Sequence, residues 1–461
     1  MEEIIKRQSA KAVIQVDNSL LDDISTLIEL QETKSLQNIF ADLHSADIAE
    51  IINHLNIEDG TFAFSLLDNE TAGEVVVDID ENLREKIFQN IDTEKITHIV
   101  NELNTDDATD ILNDLPEQIA EQVLENIDKE DSEEVKELLK YPEDTAGGLM
   151  NSELVSVYET ATVQDAIEQV RLNSEEIDHI YYIFVLKNDD ELVGTVKLKN
   201  LLIYPLSTPI NTIMDEDLIY VFHYIDQEKV ANIMEKYDLV TIPVVNEQKQ
   251  LLGRITFDDI VHVINEEASE DIQKLAGLSE EEEITDSVFR SSRARIPWLM
   301  LGLFGEMISA IVLSSFQSSI ERIIIASFFI PVVMAMGGSS GTQAAIVMVR
   351  NLSPSDLTFG IGNKKLFKEF GIASLNGIAC SAVLLIMTYF FFHTQLYFSL
   401  VLSIALLIIM IFATMVGSTV PLVLKRLGID PAIATGPFVT TMNDIVSLLI
   451  YLSLVTTFLL N

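Results

Sequence analysis

Pro437-Phe438-Val439-Thr440-Thr441-Met442-Asn443-Asp444 lies in an apolar run, Ile433 to Leu460, that is long enough to cross a bilayer and yet holds a carboxylate. An ionised carboxyl at that depth costs several kcal/mol unless water or a partner charge reaches it. No Lys or Arg within the apolar runs matches Asp444, which favours a mobile cation as its partner. Asp430, just before Pro431, stands at the near end of the same segment and marks a mouth where Asp444 marks the interior.

Working outward, similar runs recur at Ile296 to Phe316, Ile323 to Arg350, Leu366 to Phe392 and Leu396 to Leu424, so five spans are expected. Arg290, Arg293, Arg295, Arg350, Lys364, Lys365, Lys368, Lys425 and Arg426 fall on one side and only Arg322 on the other. The bias of Lys and Arg towards the cytoplasm places the amino-terminal half inside the cell and the carboxy terminus outside. In the second span, Pro331 and Gly337-Gly338-Ser339-Ser340-Gly341-Thr342-Gln343 are expected to loosen the helix and free carbonyls, tolerable only beside protein or water. Close helix packing through Gly337 and Gly341 is the alternative; polar Gln343 and the serines favour a lined pathway, with Gly337, Gly338, Ser339, Gln343, Pro437, Thr440 and Thr441 as its candidate lining. Glu306 is a third acid within a span, read as a structural or dimer contact.

The rest of the chain differs in texture. Of 72 acidic residues only Glu306, Glu321, Asp356, Glu369, Asp430 and Asp444 follow Phe289, so the preceding part carries a formal charge of about −47 against −43 for the whole. Such a surface repels nucleic acid and attracts cations. Cys380 is the only cysteine, which rules out a disulfide or a thiolate metal site within one chain. Met1 to Lys11 has no apolar core and reads as no secretory signal, consistent with a cytoplasmic soluble half.

Two duplications organise that half. Residues 36–55 recur at 96–115, pairing Ile39 with Ile99, Leu43 with Leu103, Asp47 with Asp107, Ile51 with Ile111 and Leu55 with Leu115 at helical spacing. Ser45 and Thr105 are expected to cap the helices that follow, and the whole predicts an acidic superhelical domain of short helices. Further on, Ile183 to Leu186 and Ile242 to Val245 are short β-rich runs followed by Leu192-Val193-Gly194 and Leu251-Leu252-Gly253. Each copy predicts an extended stretch, a helix and a strand pair around a polar turn. This pattern resembles a tandem pair of cystathionine-β-synthase (CBS) domains, which commonly bind adenine nucleotides. Thr256 and Asp259 match the family's ribose-contacting pattern, whereas Lys197 and Asn200 replace it in the first copy, so the resemblance implies at most one nucleotide site, for a ligand such as ATP. A purely dimerising scaffold is the alternative. Beyond it, Asp259, Glu266 and Glu270 share one face of a connecting helix, and Glu267 with Asp271 forms a like-charge i,i+4 pair that a bound cation would relieve.

Tyr141-Pro142-Glu143-Asp144-Thr145-Ala146-Gly147-Gly148-Leu149-Met150, Pro297-Trp298-Leu299, Phe329-Ile330-Pro331, Asp430-Pro431-Ala432 and Gly436-Pro437-Phe438-Val439-Thr440-Thr441 with Asp444 together resemble the MgtE family of magnesium transporters over nearly the whole chain. The resemblance implies a multi-pass homodimer of the plasma membrane whose pore lies between the membrane halves. It also implies Asp444 as the selectivity carboxylate, Asp430 at the cytoplasmic mouth, and Asp259, Glu266, Glu267, Glu270 and Asp271 as regulatory Mg2+ ligands. High cytosolic Mg2+ would close the acidic domains and the pore. Ser339 and Ser447 depart from the Asn and Gly usual in the family. Mg2+ itself suits the residues, since it keeps its waters and contacts few carboxylates, while softer metals call for Cys, His or Met. The expected fold is a multidomain membrane protein: helical domain 1–138, CBS domains 139–202 and 203–264, connecting helix 265–295 and five-helix transmembrane domain 296–461. The competing readings are a membrane-anchored divalent-cation sensor without transport and a carrier of Mn2+ or Co2+. Enzymatic use of Asp444 is disfavoured, because no paired His, Ser triad or phosphate loop accompanies it.

Overall fold

Short apolar repeats broken by Asp, Asn and Ser build ten helices, from Asn18–Glu29 to Lys129–Leu138, among the described residues. The computed structural model describes residues 16–174, 177, 179–278, 288–352, 361–434 and 436–460. Residues 1–15, including the stretch read as no signal, and 279–287 of the expected connecting helix lie outside them. The described chain divides into two units, one ending at Glu266 and one beginning at Glu267.

In the first unit, the helical repeats share one core. Ile51 and Ile111 are fully buried and Leu55 and Leu115 nearly so, which is the 60-residue register seen in three dimensions. Helices this short are marginal alone and persist because each buries its apolar face on the next. Asp17, Asn56 and Asp68 cap helices by accepting from the backbone N–H of Leu20, Asp59 and Thr71. Ser45 and Thr105 do not: each is the first helical residue, and of the N-cap positions before them His44 accepts from Ala46 N while the Asn104 side chain makes no capping bond. The Thr105 hydroxyl instead meets Ser152 Oγ at 2.9 Å.

The CBS pair follows as two three-stranded sheets. Strand Ser156–Tyr158 runs parallel to Tyr182–Leu186, which pairs antiparallel with Leu192–Lys197. Val221–Phe222, Thr241–Val245 and Leu251–Thr256 repeat the arrangement. The helices between them are Val163–Leu172 and Gln227–Tyr237. Even the turns repeat, with Asp190 and Lys249 both at positive φ and their hairpins bridged through Glu191 and Gln250.

Among its described residues, the second unit contains five helices long and apolar enough to cross a membrane: Val288–Ser315, Ile324–Arg350, Lys364–Phe390, Leu396–Arg426 and Pro437–Leu459. The fifth begins at Pro437 rather than Ile433, because Pro431–Ala434 forms a separate 3-10 turn. The expected loosening of the second span is not found. Ile330–Arg350 is one α-helix, since Pro331 falls in its first turn, where a missing N–H breaks no bond. Its glycines serve close packing. A Cβ on Gly337 would lie 2.3 Å from Ser447 Oγ, one on Gly341 1.8 Å from Asn443 Nδ2, and one on Gly417 2.1 Å from Gly341 O. Val333, Ala405, Ile409, Leu448 and Tyr451 fill the bundle, and Tyr451 donates its hydroxyl to Ala326 O at 2.7 Å.

Candidate functional site

One face of the second span packs while the neighbouring face lines a cavity. Gly338, Ser339, Thr342 and Gln343 meet Thr440 and Asp444 of the fifth span around a space of about 510 Å³, with Met334 and Ala335 completing the wall. Gly338 lies beside Asp444, since a Cβ there would sit 3.5 Å from Asp444 Oδ1, an ordinary van der Waals distance. The hydroxyls of Thr342 and Thr440 lie 3.3 Å apart. Of the expected lining, Gly338, Ser339, Gln343, Thr440 and Asp444 come together here. Gly337 packs on Ser447, Thr441 on Gly305 and Pro437 on Gly277 instead. Among the described residues no Lys, Arg or His forms an ion pair with Asp444. Its carboxyl neighbour is Glu306, within hydrogen-bonding reach.

Asp430 has a fixed cation. Lys274 Nζ donates to Asp430 Oδ2 at 2.8 Å and lies 2.6 Å from Glu270 Oε1. Asp430 Oδ1 accepts from Ala432 N at 2.8 Å, which holds the carboxylate over the turn. Burial works against the ammonium, but its bonds to Asp430 and Glu270 outweigh that and hold Lys274 above the ordinary lysine range. The helix carrying Lys274, Phe257–Ala276, ends in a left-handed Gly277, with Leu278 N–H bonded to Gln273 O at 2.9 Å. Gly277 abuts the start of the fifth span: a Cβ on it would meet Pro437 Cδ at 2.7 Å.

The remaining acids gather in the first unit. Asp106, Asp107, Asp110, Asp259 and Glu266 face Arg84 and His262 around about 190 Å³ of space. Burial, with Asp107 and Asp259 close by, pushes Asp106 well above the usual carboxylate range. Burial and Asp259 likewise raise Asp107, to about 6. Asp259 Oδ2 accepts from Thr256 N at 2.9 Å and Thr256 Oγ1 at 2.8 Å, capping the helix. The expected regulatory set is therefore divided: Asp259 and Glu266 look onto this acidic face, while Glu270 and Asp271, which senses Glu267 through space, belong with Lys274 and Asp430. Among the described residues no three His, Cys, Asp or Glu side chains are placed to hold a bare metal ion.

Sequence reasoning missed Lys274, Asp106 and Asp110. Lys274 was legible as the i+4 partner of Glu270, and Asp106-Asp107-x-x-Asp110 as an acidic helical stripe. Asn443 was also missed. It is fully buried, and both its side-chain polar atoms lack a hydrogen bond to the described protein.

A family profile described as a divalent cation transporter matches residues 330–454, one for the MgtE intracellular N domain matches 43–144, and one for the CBS domain matches 146–207 and 210–266. The magnesium transporter MgtE of Thermus thermophilus is 35% identical over 326 residues, covering 69% of this chain and 71% of that protein. The chain belongs to the MgtE family. The MgtE magnesium transporter of Bacillus subtilis is 33% identical over 329 residues, 71% of this chain and 73% of its own. A crystal structure of the cytosolic domain of the Mg2+ channel MgtE in complex with ATP aligns with a TM-score of 0.50 at 28% identity, covering 53% of this chain and 99% of that one. Membership of the MgtE family makes the chain a multi-pass membrane protein with a helical N domain, a CBS pair and five spanning helices. Of its two departures from the MgtE pattern, Ser339 keeps a hydroxyl on the cavity wall and Ser447 is buried against Gly337.

Proposed function

We propose that the protein carries Mg2+ into the cell down its electrochemical gradient as a homodimer, and that the ion passes Asp444. The observation that carries this reading is a carboxylate on a spanning helix, beside a cavity rimmed by Ser339, Thr342, Gln343 and Thr440 hydroxyl and amide groups, with no basic partner among the described residues. A hydrated Mg2+ needs only such sparse contacts, made through its water shell. The orientation follows the basic residues, with the amino-terminal half in the cytoplasm. The proposed domain limits remain 1–138, 139–202, 203–264, 265–295 and 296–461.

Regulation follows from charge. Asp106, Asp107, Asp259 and Glu266 repel one another on a single face, and a cytosolic divalent cation relieves that repulsion. Glu267, Glu270, Asp271 and Asp430 respond in the same sense near the mouth. High cytosolic Mg2+ thus favours a closed arrangement and low Mg2+ an open one. An adenine nucleotide is a further ligand of the CBS pair, with Thr256 and Asp259 as its contacts; the ATP complex of the related cytosolic domain supports it. Flux through the purified protein in vesicles, comparing Mg2+, Mn2+, Ca2+ and Co2+ at low and high concentration on the cytoplasmic face, tests substrate and feedback together. Mg2+ flux that falls as cytoplasmic Mg2+ rises supports the reading, and ion-dependent domain movement without flux favours a sensor.

A further inference from the structure

The first span meets the fifth at a point with almost no space between them: a Cβ on Gly305 would lie 1.8 Å from Thr441 Cγ2. That approach sets the register, and Glu306, the next residue, brings its carboxyl within hydrogen-bonding reach of Asp444. Two carboxyl groups this close cannot both stay ionised without a proton or a cation between them. Among the described residues neither has an ion pair with Lys, Arg or His. Glu306 is exposed, so helix packing gives no reason for an acid there, and an acid in a spanning helix is costly unless it faces water or an ion. Mg2+ is commonly held through its waters by one or two carboxylates.

We propose that Glu306 is a second ion-contacting carboxylate, which with Asp444 sets the affinity of the pathway for divalent over monovalent cations. This rests on the permeation reading above. Each protomer contributes two acids to the level of Asp444 rather than one, and the doubled charge favours a divalent ion over Na+ or K+.

The test is flux through the full-length protein in vesicles, with Mg2+ varied against fixed Na+, for the parent, Glu306→Gln, Glu306→Asp and Asp444→Asn, alongside thermal melting in detergent. Glu306→Gln is expected to raise the half-saturating Mg2+ concentration about tenfold, equivalent to about 1.4 kcal/mol of ion binding, and to admit more Na+. Glu306→Asp is expected to restore much of the difference, with melting unchanged in both. An unaltered half-saturation in Glu306→Gln overturns the proposal, as does a loss that tracks lowered melting in both variants. Asp444→Asn separates the two readings: if it leaves flux intact the permeation reading itself fails, whereas loss of flux there with an unaltered Glu306→Gln defeats only the role of Glu306.

Discussion

Lys274 reaches across 156 residues of sequence to place its ammonium 2.8 Å from the Asp430 carboxylate. The same ammonium holds Glu270, so the end of the connecting helix is fastened by charge to the turn that precedes the fifth span. A fixed lysine thus bridges Glu270, which the resemblance implied as a regulatory Mg2+ ligand, and Asp430, read as the carboxylate of the mouth. Pairs that are part-exposed like this one contribute about 0.2 to 1 kcal/mol. Lys274→Met and Asp430→Asn should each lower melting, and the double variant should lose less than their sum by about that amount. A double-mutant cycle in detergent-solubilised protein reads the coupling, and strict additivity would show that the contact carries none.

Gly277 joins the same two segments by shape. At φ +83° and with Pro437 Cδ 2.7 Å from where a Cβ would sit, Gly277→Ala combines backbone strain with a clash. A destabilisation of about 1 to 2 kcal/mol is expected, together with an altered response of flux to cytoplasmic Mg2+. Parent-like melting and parent-like feedback would contradict the proposed mechanical link.

The glycines of the bundle divide into those that are required and those that are not. Gly417→Ala directs a Cβ at the Gly341 backbone, which cannot step aside, and should cost about 1 to 3 kcal/mol or prevent folding. Gly302→Ala is the control, because nothing lies within 4 Å of its Cβ. The fraction of monodisperse protein recovered in mild detergent measures both, and equal recovery would argue against the packing.

Acidity acts on the first unit with a definite sign. Asp106 and Asp107 have folded pKa values above the ordinary 3.8, Asp107 at about 6, so the folded form binds protons more tightly than the unfolded chain. In a chelator, this contribution destabilises the acidic face at pH 7 and above, and stability returns as pH falls through about 6 towards 4. Melting should therefore rise between pH 8 and pH 5.5. Asp107→Asn should flatten that rise, a difference that circular dichroism melts across pH resolve.

Much of the architecture was legible because it is periodic. The 60-residue helical repeat, the 59-residue strand-helix-strand repeat and the five apolar runs each state their structure through spacing, and Ile51 with Ile111 or Asp190 with Lys249 reproduce it residue by residue. The conformation of Gly337 to Gln343 was not legible. Glycine is compatible both with a broken helix and with a tight one, and only the partners Ser447, Asn443 and Gly417, from distant parts of the sequence, decide for the tight helix. The meeting of Glu306 with Asp444, and of Lys274 with Asp430, is of the same kind. Each residue is visible alone as an unusual charge, and the pairing exists only once the helices are packed.

Mg2+ flux into vesicles through Asp444→Ala, with melting measured on the same preparation, tests the permeation account most directly. The account predicts folded protein that no longer passes Mg2+, because Asp444 lines the cavity and, among the described residues, forms no ion pair whose loss would loosen the bundle. Parent-level flux through folded Asp444→Ala would contradict it.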